Sequence, residues 1–249
     1  MNATPIESRA QAVKQGAAWR PLLWLLLIPA INLLYVLQNR AAGNARSLVT
    51  EVDGSIPFVP AFALPYSLWY PFLFVVFVLV LRKDRREYFR LLLAFCLGLL
   101  LSNLVFLVFQ TTVPRPEIGT EGFFHGIVSF IYANDQPYNC FPSVHVLTSA
   151  LMIYGARRLR TAAKIPIAVV AVSIIVSTVF IKQHVIADVM AGLLAAKLVF
   201  WLAGKLIRRF ERRRELSDKY KQSIRQLSFR SEDEALDEAA RSRCRREPG

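Results

Sequence analysis

The sequence predicts an all-α fold, a polytopic membrane protein with six transmembrane helices and both termini in the cytoplasm. Three observations point there. Apolar residues make up 54% of the 249-residue chain and charged residues only 20%. The apolar residues fall in runs close to the roughly 20 residues that span a bilayer core, rather than in amphipathic stripes. The net charge of +13 is gathered in every second loop, as expected when basic loops stay on the cytoplasmic side.

The runs are Pro21–Leu37, Ala61–Leu81, Leu91–Phe109, Val144–Ala156, Ile165–Ile181 and Val185–Ile207. The first follows basic residues like a signal peptide, but it is longer than a usual apolar core and no small-x-small site closes it, so it reads as an anchor. The second carries Pro65 and Pro71, which a membrane helix tolerates where neighbours satisfy the freed carbonyls. Tyr66, Trp69 and Tyr70 beside it suit the headgroup level. The fourth is short and alone would read as a buried helix; with Phe141 and Pro142 ahead of it, it is kept as a span. Orientation follows from the charges. Arg9, Lys14 and Arg20 precede the first run, Arg82 to Arg90 separate the second and third, Arg157 to Lys164 separate the fourth and fifth, and Lys205 leads into a basic tail. The alternate loops hold few cations beside Glu51, Asp53, Glu117, Glu121 and Asp135.

Three regions result: a cytoplasmic N-terminal segment 1–20, a six-helix membrane catalytic domain 21–207, and a charged cytoplasmic tail 208–249, partly disordered. The composition excludes a secreted disulfide scaffold, with three distant cysteines, and collagen or low-complexity chains. A basic protein also invites a nucleic-acid reading, but topology and tail account for the charge, so no nucleic-acid partner is expected.

All three histidines, His125, His145 and His184, fall on the outer side of this topology, which was set by lysine and arginine alone. Val113-Pro114-Arg115-Pro116 holds Arg115 between two prolines. Its guanidinium suits a phosphate, although an arginine that snorkels to the interface would look the same. Cys140-Phe141-Pro142-Ser143-Val144-His145 reads as a helix start, with Ser143 near the N-cap and His145 one turn inside, where it could move a proton. Free N–H groups at such a start favour an anion; capping plus an interfacial histidine is the plain alternative. Lys182-Gln183-His184 precedes Asp188, and the i, i+4 spacing predicts His184 and Asp188 on one helix face. A carboxylate on one ring nitrogen fixes the tautomer and leaves the other as a nucleophile. An aspartate within an apolar span is itself a functional signal. The scattered histidines have no metal-ligand pattern, so neither metal nor other cofactor is expected. His125 reads as interfacial packing, and Cys140 as a small neighbour within its motif.

Arg115, Ser143, His145, Lys182, His184 and Asp188 thus converge on one membrane face from distant parts of the chain. They form the inventory that phosphoryl transfer needs, positioning and charge stabilisation. At these residues the chain resembles the type 2 phosphatidic acid phosphatase superfamily. Pro142-Ser143-Val144-His145 matches that family's Pro-Ser-Gly-His block with Val144 in the glycine place. Ser177, His184 and Asp188 match its third block in spacing, and Arg115-Pro116 its first. The lysine of the first block is Val108 here, and the arginine of the third is Thr178. The Lys-Gln-His form of the third block is similar to the branch of inositol phosphorylceramide and sphingomyelin synthases.

The resemblance implies an integral membrane lipid phosphatase that hydrolyses a lipid phosphomonoester or pyrophosphate through a phosphohistidine. His184 would be the nucleophile, Asp188 its orienting partner and His145 the acid/base. Arg115, Ser143 and Lys182 would bind phosphate. The lipid would enter from the bilayer to an extracytoplasmic active site, in a bacterial cytoplasmic membrane. Two other readings stand beside it, a headgroup phosphotransferase and a non-catalytic lipid-binding or transport protein. A transporter would place ionisable residues mid-bilayer on several spans, whereas only Asp188 and Lys197 do so.

Overall fold

The computed structural model describes residues 19–39, 45–119 and 122–244, with side chains described as far as residue 222. Arg9, Lys14 and Glu121, which entered the charge pattern, lie outside the described residues, as do Arg40, a cation of the first outer loop, most of segment 1–20 and residues 245–249. The described chain is helical almost throughout. A 3-10 turn, Arg20–Leu26, leads into α1 (Leu27–Gln38). Then come β1 (Arg46–Ser47), α2 (Glu51–Ser55), α3 (Ala63–Ser67), α4 (Trp69–Lys83), α5 (Arg85–Val108) and β2 (Thr111–Thr112). α6 (Phe123–Asn134), α7 (Val144–Gly155), α8 (Thr161–Phe180) and α9 (Ile186–Cys244) complete the order. The chain divides into two compact units, Met1–Ala203 and Gly204–Gly249. The first holds all the residues singled out above as chemical; the second is helical through Cys244 and strongly charged.

Five helical stretches among the described residues are long and apolar enough to cross a membrane: Arg20–Gln38, Pro60–Lys83, Arg85–Val108, Thr161–Phe180 and Ile186–Gln222. The expected fourth span, α7, has 12 residues. At about 1.5 Å per residue it falls well short of a bilayer core. Its length is explained by its place. Val146 to Met152 are all buried, and α7 packs against α5, α8 and α4, so protein rather than lipid surrounds it. The membrane-crossing candidates instead expose large apolar side chains such as Leu104, Leu107, Leu194 and Leu198, the surface expected of helices that face acyl chains.

Local chemistry sets the boundaries. Asp84 caps α5, its Oδ1 accepting the N–H groups of Arg86 and Glu87 at 2.9 and 3.1 Å. The basic residues Arg85, Arg86 and Arg90 therefore lie inside α5, where the sequence places them in a loop. The expected second span is broken at Leu68 into a 3-10 turn, α3 and α4. Pro71 has no N–H for the carbonyl four residues before it. Small residues allow close packing. A Cβ on Gly98 would stand 2.6 Å from Leu147, and one on Gly155 2.6 Å from Leu91. At the end of α5 where its arginines gather, Arg157 donates both arms to the buried Glu87 at 2.8 Å, joining the turn after α7 to α5.

Candidate active site

α8 ends at Phe180, and Lys182 adopts a left-handed φ of 54°. The N–H groups of Gln183 and His184 both return to the Thr178 carbonyl at 3.0 Å. α9 begins only at Ile186, so His184 stands in the turn ahead of the helix, where its spacing predicts a shared helix face with Asp188. The pair still forms. Asp188 lies in the first turn of α9 and folds back. Its Oδ2 accepts the Val185 N–H at 3.0 Å and lies 3.3 Å from His184 Nδ1. A helix start leaves N–H groups without partners, and the carboxylate takes one of them. Asp188 is fully buried and His184 nearly so. With Nδ1 turned to the carboxylate, Nε2 is the ring nitrogen left for chemistry.

A second aspartate holds this turn from the other side. Thr50 and Asp53 form a reciprocal capping box on α2, and Asp53 Oδ1 also accepts the Ile186 N–H at 2.8 Å. Lys182 closes the clasp, its Nζ donating to the carbonyls of Asp53 and Ile56 at 3.0 and 2.6 Å. Burial pushes the Asp53 carboxyl up, but the hydrogen bonds from Thr50 and Ile186 and the nearby Lys182 outweigh it and hold the group below its ordinary value.

The other histidine is docked by backbone contact. Ser143 caps α7, its Oγ accepting the Val146 N–H at 3.3 Å, and its own N–H donates to the Asp188 carbonyl at 3.2 Å. Gly192, one turn after Asp188, makes this approach possible, since a Cβ there would lie 2.9 Å from the Ser143 carbonyl oxygen. His145 is sandwiched by the rings of Tyr66 and Trp69, at centroid distances of 4.4 and 4.1 Å. The Tyr66 hydroxyl is 3.5 Å from His145 Nδ1 and 3.4 Å from Asp135 Oδ2. The two histidine rings are 6.2 Å apart, centroid to centroid.

Arg115 lies against the Tyr132 ring at 4.1 Å. It donates to the carbonyls of Tyr132 and Asp135 at 3.1 and 2.6 Å and to Gln183 Oε1 at 2.6 Å. Both cations expected to bind phosphate thus spend these donors on protein oxygens. At the positions of the two lost basic residues, Val108 is 79% exposed at the end of α5, and Thr178 is buried with its hydroxyl on the Ile175 carbonyl.

Two cavities meet at His184. One, of about 280 Å³, is bordered by Asp53, Arg115, Lys182 and Val185. The other, of about 330 Å³, is bordered by Tyr66, Trp69, Asp135, His145 and Gln183, with apolar walls from Val36, Leu99 and Phe130. His125 is on α6 and lines neither. Burial pushes the Cys140 thiol well up, with Asp188 and Asp135 adding to it, which makes it a poor nucleophile at neutral pH. Among the described residues, no three His, Cys, Asp or Glu side chains are grouped to hold a metal.

The family model for the PAP2 superfamily matches residues 32–202, which include every one of these site residues. The chain belongs to the PAP2 superfamily. No curated protein and no solved structure matches it significantly. PAP2 membership supports a lipid phosphatase or phosphotransferase type of function, and the apolar helices fit a membrane protein.

Sequence reasoning passed over Asp53, Tyr66, Trp69, Asp135 and Gln183. For Asp53 a signal existed, since Thr-x-x-Asp is a capping-box spacing. Tyr66 and Trp69 read as headgroup-level aromatics because nothing in their order reveals the imidazole between them. Asp135 was visible only as one acid of an outer loop.

Proposed function

We propose that this PAP2 protein is an integral membrane lipid phosphatase acting on a lipid phosphomonoester or pyrophosphate. The observation that carries the reading is the placement of His184, backed by Asp188, across one cavity from His145. His184 Nε2 attacks phosphorus while Asp188 holds the ring and stabilises its positive charge. The P–O bond to the leaving group breaks, and His145 gives that oxygen a proton. His145 then takes a proton from water, which attacks the phosphohistidine and releases phosphate. Ser143 is fully buried and lines neither cavity, so it acts by capping α7 and tying that helix start to the Asp188 carbonyl, while Arg115 and Lys182 supply positive potential beside His184. The apolar walls suit a lipid that enters sideways from the bilayer, with its headgroup at the extracytoplasmic face.

One observation favours a second reading. The larger cavity is lined with hydroxyl and amide groups, including Tyr35, Asn103 and Asn134, which would suit an acceptor alcohol in place of water. The protein would then transfer a headgroup phosphate between lipids. The test is purified protein in detergent with a panel of labelled lipid phosphomonoesters, pyrophosphates and phosphodiesters, with and without an acceptor alcohol. Free phosphate as product supports hydrolysis; a new phospholipid supports transfer. In either case His184→Ala abolishes turnover, and wild-type rates in that variant would overturn both.

A further inference from the structure

Resting on that phosphoryl-transfer reading, we propose that the side-chain amides of Gln183 and Asn139 bind the non-bridging phosphoryl oxygens, in place of the two basic residues this chain lacks.

Both side chains line the larger cavity with His145 and His184, and they are only 4% and 3% exposed. The carbonyl end of each amide is already taken. Arg115 donates to Gln183 Oε1 at 2.6 Å, and Gln110 Nε2 donates to Asn139 Oδ1 at 3.0 Å. These donors fix the orientation of each amide, because a flip would set NH₂ against NH. The amino ends, Gln183 Nε2 and Asn139 Nδ2, are buried and have no hydrogen-bond partner among the described residues. Buried donors are normally satisfied, so two unsatisfied ones on residues that border the same cavity as His184 call for a ligand rich in acceptors. A phosphoryl group presents oxygen acceptors on every side. A cationic headgroup placed there would leave both donors unsatisfied.

The positions fit the chemistry. Gln183 is the neighbour of His184 in the turn, so its donor is tied to the same backbone as the attacking nitrogen. Asn139 is four residues before Ser143 and holds a left-handed φ of 59°, a conformation that Asn and Asp adopt more readily than other non-glycine residues. Arg115 acts through Gln183. Its guanidinium draws density from Oε1, which makes Nε2–H a stronger donor, and so its charge reaches the phosphoryl oxygens without contact.

Orthovanadate, which mimics a phosphoryl group in transfer, is the probe. Its binding to the purified full-length protein is read from the shift in thermal unfolding, alongside turnover. Gln183→Glu and Asn139→Asp keep an acceptor for Arg115 and Gln110 and replace the amino donor with a charged oxygen. Each is expected to weaken vanadate binding at least tenfold and to lower kcat by about 10²-fold, as for one lost oxyanion donor, with a smaller change in KM. Gln183→Met, which adds no charge, is expected to lose at least tenfold in both measurements. Vanadate affinity and kcat within threefold of wild type in all three variants would overturn this assignment alone. A wild-type protein that neither binds vanadate nor turns over any lipid phosphate would overturn the phosphoryl-transfer reading, and this assignment with it.

Discussion

At the scale of the residue, each part of the reactive pair is held by a different polar contact. Asp188 meets one ring nitrogen of His184, while aromatic rings and the Tyr66 hydroxyl hold His145. Asp53 couples this geometry to pH. Its folded-state value is lowered, so its carboxylate contributes stability above the unfolded value of about 3.9, and that contribution is lost as pH falls through the lower folded value. The unfolding temperature of the wild type is therefore expected to drop below about pH 4, and Asp53→Asn is expected to flatten that part of the profile. An unchanged acid limb in Asp53→Asn would show that the clasp on Ile186 is not stabilising. The convergence of His145, His184 and Asp188 was legible because their types and spacing are rare in an apolar chain. The roles of Arg115 and Lys182 were less so, since a cation's partners depend on carbonyls brought near only by the fold.

At the scale of the element, the site is a junction of two helix starts. α7 and α9 approach so closely that Ser143 bonds to the Asp188 carbonyl and Gly192 faces the Ser143 oxygen. A methyl group on Gly192 meets backbone, which cannot rotate away, whereas one on Gly98 meets the flexible end of Leu147. Gly192→Ala is thus expected to cost about 1–3 kcal/mol, seen as a lower unfolding temperature, and to reduce turnover more than Gly98→Ala does. Equal effects of the two would place the histidine geometry elsewhere. Long apolar runs gave the helices their approximate places. Their ends shifted because polar contacts such as the Asp84 cap decide where a helix begins. The fourth run forms a helix of 12 residues packed among other helices, and apolar content does not distinguish a helix surrounded by protein from one surrounded by lipid.

At the scale of the whole molecule, the basic loops and the chemical residues occupy opposite ends of the helices. We expect the first to be cytoplasmic and the second extracytoplasmic. In a background without native cysteines, Glu117→Cys is expected to react with an impermeant thiol reagent from outside intact cells, and Lys83→Cys only after lysis. Both positions are exposed in the structure. Labelling of Lys83→Cys from outside would invert the topology and move the site to the cytoplasm. Fold class was readable at this scale because apolar length and loop charge answer directly to the bilayer. The larger cavity was not, since it is built from α1, α3 to α7 and the turn before α9, and no segment alone encodes it.

The central claim is that His184 carries the phosphoryl group. The most direct measurement is to quench a reaction with phosphate-labelled lipid in alkali, where phosphohistidine survives, and to map the label on the protein. The expected result is label on His184 in the wild type and none in His184→Ala. Label at another residue, or labelled protein from His184→Ala, would contradict the account.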